Sequence, residues 1–117
     1  RLESVQNAID QAETVAENIL GAARAYCPMP WFWSDQYDVK LQIAGLNTGY
    51  DRVITRTGEK PGAISFWYYH ATTLLAVDAA NDPRAYMIGK RLIAAGISPA
   101  PATIADPQTD LKGLLRP

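Results

Sequence analysis

The chain has 117 residues, of which 20 % are charged and 48 % hydrophobic, and a formal net charge of −1. This is the composition of one folded domain with a modest core, too short for two independent ones and too apolar for a disordered segment. With no block of Lys and Arg, nucleic acid and anionic membranes are excluded as expected partners, and no apolar run is long enough to span a bilayer.

Cys27 is the single cysteine, which excludes an intrachain disulfide and a thiolate-rich metal site. It fits a reducing compartment, and a cytoplasmic location is expected. The chain opens at Arg1 in mid-pattern, without Met, and reads as a piece of a longer protein.

The clearest element is a helix over residues 4–25. Val5, Ile9, Ala12, Ala16, Ile19 and Ala23 fall on one stripe, with Asp10, Glu13, Glu17 and Arg24 mostly away from it. Ser4 reads as its N-cap, and Glu3 places negative charge beside the positive end of the helix dipole. Such a helix start offers free amide donors to an anion or a carbonyl oxygen, and it serves a plain packing helix equally well.

Pro28 and Pro30 end any helix, and the loop Trp31-Phe32-Trp33-Ser34-Asp35-Gln36 follows. In an extended segment Trp31 and Trp33 share a face, as a plug over a core or as a wall for a planar ligand. Strict alternation over Asp38–Ile43 predicts a strand with Val39, Leu41 and Ile43 toward a core. Further strands are expected over Arg52–Thr57, Ala63–Tyr69 and Thr73–Val77. With no helix between them, an antiparallel meander is the expected sheet. Asn81-Asp82-Pro83 signals a helix that runs to about Ala95, with Arg84, Lys90 and Arg91 toward solvent. Residues 97–105 read as a proline-punctuated tail. Asp106-Pro107 repeats the cap-plus-proline signal for a short last helix in which Leu111, Leu114 and Leu115 dock. The fold class is therefore α+β, a long N-terminal helix followed by a small antiparallel sheet with two C-terminal helices.

Catalysis is hard to build on this chain alone. His70 is the only histidine, no nucleophile and base have a recognisable spacing, and no His, Cys and carboxylate pattern points to a metal. No glycine-rich phosphate loop is present. No catalytic residue and no metal ligand is assigned.

Three segments nevertheless carry a resemblance: Arg1-Leu2-Glu3-Ser4-Val5-Gln6-Asn7-Ala8, Pro30-Trp31-Phe32-Trp33-Ser34-Asp35-Gln36-Tyr37, and Leu75-Ala76-Val77-Asp78-Ala79-Ala80-Asn81. In this order and at these intervals the chain resembles the C-terminal third of ferredoxin and rubredoxin reductases of the putidaredoxin reductase and aromatic-ring dioxygenase reductase type. These are FAD-containing, NAD(P)H-dependent flavoproteins that feed electrons to oxygenases and P450s. The resemblance implies that residues 1–27 are the terminal helix of an FAD-binding domain and residues 28–117 a C-terminal interface domain. It implies that Val5, with Glu3, Ser4 and Gln6 around it, meets the flavin pyrimidine through the helix N-terminus. Trp33 is implied as the flavin neighbour on the path to a 2Fe-2S ferredoxin, and Lys112 as a docking contact for that acidic partner.

Both dinucleotide motifs of that family are absent from the 117 residues, so the chain by itself is expected to be inactive and not to retain FAD. NAD(P)H would bind elsewhere. The alternative is a non-catalytic interaction or dimerisation module, and the apolar stripe of the first helix makes self-association of the isolated chain an expectation.

Overall fold

A computed structural model describes residues 1–116. Helix α1 spans Val5–Ile19, followed by strands β1 (Trp31–Gln36), β2 (Val39–Gly45), β3 (Arg52–Thr57), β4 (Ile64–His70) and β5 (Thr73–Ala80). Helices α2 (Pro83–Ala94) and α3 (Pro101–Ala105) and a 3-10 turn, η1 (Leu111–Leu115), complete the chain. The α+β class is as expected.

The five strands form one antiparallel sheet in the order β1-β2-β5-β4-β3. Only β3-β4-β5 is a meander. The β1-β2 hairpin attaches to the free edge of β5, so residues 46–51 carry the chain across the ends of two strands to the far edge. Six residues reach about 20 Å, enough for that crossing.

One face of the sheet is covered by α2, α3 and η1, and the core lies between them. Trp67, Tyr69, Val77, Ala79, Ala85, Leu92 and Ile104 are fully buried there. Gly89 lets α2 approach β5 closely, since a Cβ at that position would lie 2.6 Å from Val77 Cγ2. Helix α2 starts as its residues dictate, with the Asp82 carboxylate accepting from the Ala85 amide at 3.0 Å and Pro83 in the first turn.

Several local expectations are corrected. Helix α1 ends at Ile19, not near residue 25: Gly21 takes φ +97° and the Asn18 side chain bonds the backbone of Arg24 at 2.7 and 2.8 Å. The tryptophan segment is an edge strand, not a loop. In β2 it is Ala44 that joins the core, while Leu41 and Ile43 are half-buried and Val39 is exposed. These three point to the uncovered side of the sheet, because alternation specifies two faces without saying which one the helices will cover. Residues 101–105 of the proline-punctuated tail form α3, which buries Ile104. The last turn is capped by Asp110, whose side chain accepts from the Lys112 amide at 3.1 Å; Asp106 instead closes a turn onto the Gln108 amide at 2.9 Å. Leu111, Leu114 and Leu115 dock as expected.

Candidate functional site

The tryptophan pair is built by its own flanks. Pro28 and Pro30 hold the chain extended, and the Gly45 amide donates to the Pro30 carbonyl at 2.8 Å, which starts the β1-β2 ladder. Period-two geometry then puts Trp31 and Trp33 on the helix-bearing face, opposite Ala44 and Gln42. Their rings stack with centroids 5.4 Å apart and planes inclined by 28°. Trp31 packs against the edge of the core, and Trp33 remains 40 % exposed. Phe32 points to the opposite face.

Lys90 closes this array from α2. Its ammonium lies 4.4 Å from the centre of the Trp31 ring and 5.8 Å from that of Tyr86. It is therefore half-buried over aromatic faces, not turned out to solvent as its place on the helix predicts. Lys90→Met is expected to cost about 0.5–1 kcal/mol in urea unfolding. It should also weaken the exciton couplet that two stacked indoles give in circular dichroism; Lys90→Arg should restore both.

The start of α1 faces the same segment. Glu3, Ser4, Gln6 and Asn7 line one side of a cleft of about 140 Å³, with Pro30, Trp31, Phe32 and Ile43 on the other. Ser4 is the N-cap, its hydroxyl accepting from the Asn7 amide at 3.1 Å. Asn7 ties the turn down further by donating to the Leu2 carbonyl at 2.7 Å and by bonding the Tyr26 hydroxyl. The amides of Val5 and Gln6 stand in the first turn, where no intrahelical acceptor exists. The Val5 side chain is 63 % exposed and takes no part in lining the cleft. Glu3 pairs with Arg1 at 2.9 Å.

This arrangement offers helix-start donors on one wall and aromatic surface on the other. It suits the edge of a planar, hydrogen-bond-accepting ring system. Among the described residues no group of three or more His, Cys, Asp or Glu side chains converges on a metal position.

Trp33 thus meets Glu3, Ser4 and Gln6 only through Trp31. Lys112 is not part of this constellation; it lies in a separate groove between α2 and η1. His70 is exposed at the end of β4, with Nδ1 3.4 Å from the Asp51 carboxylate.

Sequence reasoning passed over one group. On the uncovered face of the sheet the Tyr68 hydroxyl donates to Asp78 at 2.9 Å, amid Ile43, Phe66 and Ala80. Burial pushes the Asp78 carboxyl up, against the opposing effect of the Tyr68 hydrogen bond, and burial followed by Asp78 itself pushes the Tyr68 hydroxyl up. A lone Asp amid seven apolar or small residues was the available signal.

Comparison with known proteins places these features in a family. The family described as "Reductase C-terminal" matches residues 31–115. Rhodocoxin reductase of Rhodococcus erythropolis is 42 % identical over 112 residues, covering 96 % of this chain and 26 % of the relative. The crystal structure of the ferredoxin reductase for the CYP199A2 system of Rhodopseudomonas palustris superposes with a TM-score of 0.91 at 40 % identity, over 99 % of this chain and 29 % of that one. The reductase of the covalent putidaredoxin reductase–putidaredoxin complex gives a TM-score of 0.87 at 36 % identity, over 98 % of this chain and 28 % of that one. The chain thus spans little more than a quarter of the length of the relatives it matches.

Proposed function

This chain belongs to the reductase C-terminal family, and from that premise we propose that it serves as the C-terminal segment of an FAD-dependent NAD(P)H:ferredoxin oxidoreductase. Residues 1–27 would complete the FAD domain and residues 28–117 form the domain beside it. FAD, bordered by the start of α1 and the tryptophan segment, would supply the hydride-accepting and one-electron-donating chemistry that links NAD(P)H to a 2Fe-2S ferredoxin. The contribution of this chain is to bind and shield. Val5 and Gln6 present first-turn amides that favour negative charge at the pyrimidine edge, and Ser4 holds that turn in place without occupying those two amides. Glu3 and Gln6 border the same cleft. Trp33 keeps water from the ring edge and stands on the ferredoxin side, held by the stack on Trp31. Lys112 attracts the acidic partner.

The observation that carries this reading is the cleft itself, in which the helix start and the tryptophan segment, 24 residues apart from Gln6 to Pro30, form facing walls. The test is a chimera in which this chain replaces the matching C-terminal quarter of rhodocoxin reductase. The chimera should hold FAD and bleach with NADH. Trp33→Ala should slow ferredoxin reduction about tenfold while flavin reduction by NADH changes little, a transition-state loss of about 1.4 kcal/mol. Equal slowing of both steps removes Trp33 from the path; a chimera that stays colourless with added FAD sinks the reading.

The alternative of a dimerisation module draws on α1, where Val15 is 57 % and Ile19 80 % exposed. Sedimentation separates the two: a module self-associates in the chimera as well as alone, whereas a flavin-domain helix has its stripe covered there and the chimera stays monomeric.

A further inference from the structure

The sheet face that α2, α3 and η1 leave open holds an acid at its centre. Cross-strand register sets Phe32, Ile43, Asp78, Phe66 and Thr55 in one row across it, one residue from each strand. Residues two places to either side share the face. Along the five strands they include no Lys, no Arg and no acid other than Asp78. His70, at the end of β4, lies against Asp51 instead.

Asp78 is half-buried on the middle strand of the sheet. Its Oδ2 accepts from the Tyr68 hydroxyl at 2.9 Å, and the Tyr50 ring stands edge-on to that of Tyr68 with centroids 5.2 Å apart. Among the described residues no cation lies within ion-pair distance of it. Burial pushes its carboxyl up, and the Tyr68 hydrogen bond does not cancel that effect. A carboxylate held in an apolar field costs stability until a counter-charge meets it.

Continuity and length indicate what covers the face. Phe32 and Ile43 belong both to it and to the cleft whose other wall is the start of α1. Beyond the cleft, α1 leaves Val5, Ile9, Val15 and Ile19 exposed. Two open apolar surfaces that meet at one cleft suit a single covering body. This chain spans only 26 % of rhodocoxin reductase, so a protein of that kind has such a body to offer.

Building on the reductase function proposed above, we propose that the open sheet face seats the remainder of the reductase, and that Asp78, oriented by Tyr68, receives one Arg or Lys side chain from it. Tyr68 engages Oδ2 and leaves Oδ1 to the incoming donor. A long basic side chain fits the place, since its apolar stem can lie on Ile43 and Phe66 while its head reaches the carboxylate.

The test uses the rhodocoxin reductase chimera, with FAD release followed by flavin fluorescence. Asp78→Asn keeps the shape and removes the charge; it should speed release about tenfold. Asp78→Glu should recover part of that loss, and Tyr68→Phe should speed release severalfold. Asp78→Lys should release FAD faster still or hold none. Asp38→Asn, in the β1-β2 turn, should change nothing. If Asp78→Asn leaves release unaltered or slows it in a chimera that is yellow and bleaches with NADH, no cation meets Asp78; the proposal fails and the reductase reading stands. Release that slows as protein concentration rises makes a second copy the cover, and the proposal fails. A chimera that stays colourless with added FAD overturns the reductase reading and this inference with it.

Discussion

Arg56→Met is expected to remove about 3–5 kcal/mol of stability, a large share of the 5–15 kcal/mol typical of a domain. Arg56 lies on β3 and is only 9 % exposed. Its guanidinium donates to four backbone carbonyls: Ile104 at 2.9 Å, Pro107 at 3.1 Å, Thr109 at 2.8 Å, and Asp106. Among the described residues no carboxylate lies within ion-pair distance of it, so the cation is solvated by peptide dipoles from α3 and the strap of chain that follows. That strap has little else to hold it, since residues 106–110 belong to no helix or strand. Methionine keeps the aliphatic stem and loses every donor, leaving the carbonyls of a bent segment to find water or stay unpaired. Arg56→Lys should recover less than half of the loss, because an ammonium cannot spread donors over four acceptors. Urea unfolding checks it: the midpoint should fall with the slope unchanged, and a loss below about 1 kcal/mol would show that the strap is held by other means. Because the strap leads directly into η1, the substitution should also loosen Lys112 and weaken the partner docking proposed for it.

Gly45→Ala is the second large effect, expected to cost about 2–5 kcal/mol. Gly45 sits at φ +78°, and a Cβ there would lie 2.2 Å from the Leu75 carbonyl oxygen and 3.1 Å from the Ala76 Cα. Both obstacles are backbone of β5, which cannot rotate away as a side chain would. The left-handed conformation alone costs a non-glycine residue about 1–2 kcal/mol, and forced overpacking adds about 1–3 kcal/mol. Gly49 is the internal control. Its φ is +86° with nothing within 4 Å of a Cβ, so Gly49→Ala should cost only the conformational part. Equal effects at the two positions would refute the steric account. Since the Gly45 amide also anchors Pro30 at 2.8 Å, the Trp31–Trp33 exciton couplet should weaken in Gly45→Ala and not in Gly49→Ala.

Both positions were beyond reach of the sequence, for different reasons. Gly45 reads as the end of a strand, which it is, yet the carbonyl it nearly touches belongs to a strand 30 residues later. Arg56 sits in a short strand where an arginine reads as solvent-facing; only the return of the chain over it from residues 104–109 makes it interior. Lys90 is similar. Its position on α2 places it on the polar side, and the edge strand β1 brings an indole to it.

The candidate site divides the same way. The Ser4 cap at the start of α1 is legible in four residues, and the side-by-side placement of Trp31 and Trp33 follows from their spacing in an extended chain. That these two features face one another across a cleft is not.

By itself, then, the sequence determined the elements whose causes are local: the capped start of α1, the strand over Arg52–Thr57, the Asp82-Pro83 entry to α2, and the leucines of the last turn. Caps, prolines and side-chain period act within a few residues, so they can be read without knowing the partners. The tertiary structure alone decided that β5 lies between β2 and β4, and that Ala44 and not Ile43 meets the core. Each of those depends on which surface is covered by residues far along the chain, and the free energy of covering it is absent from any local window.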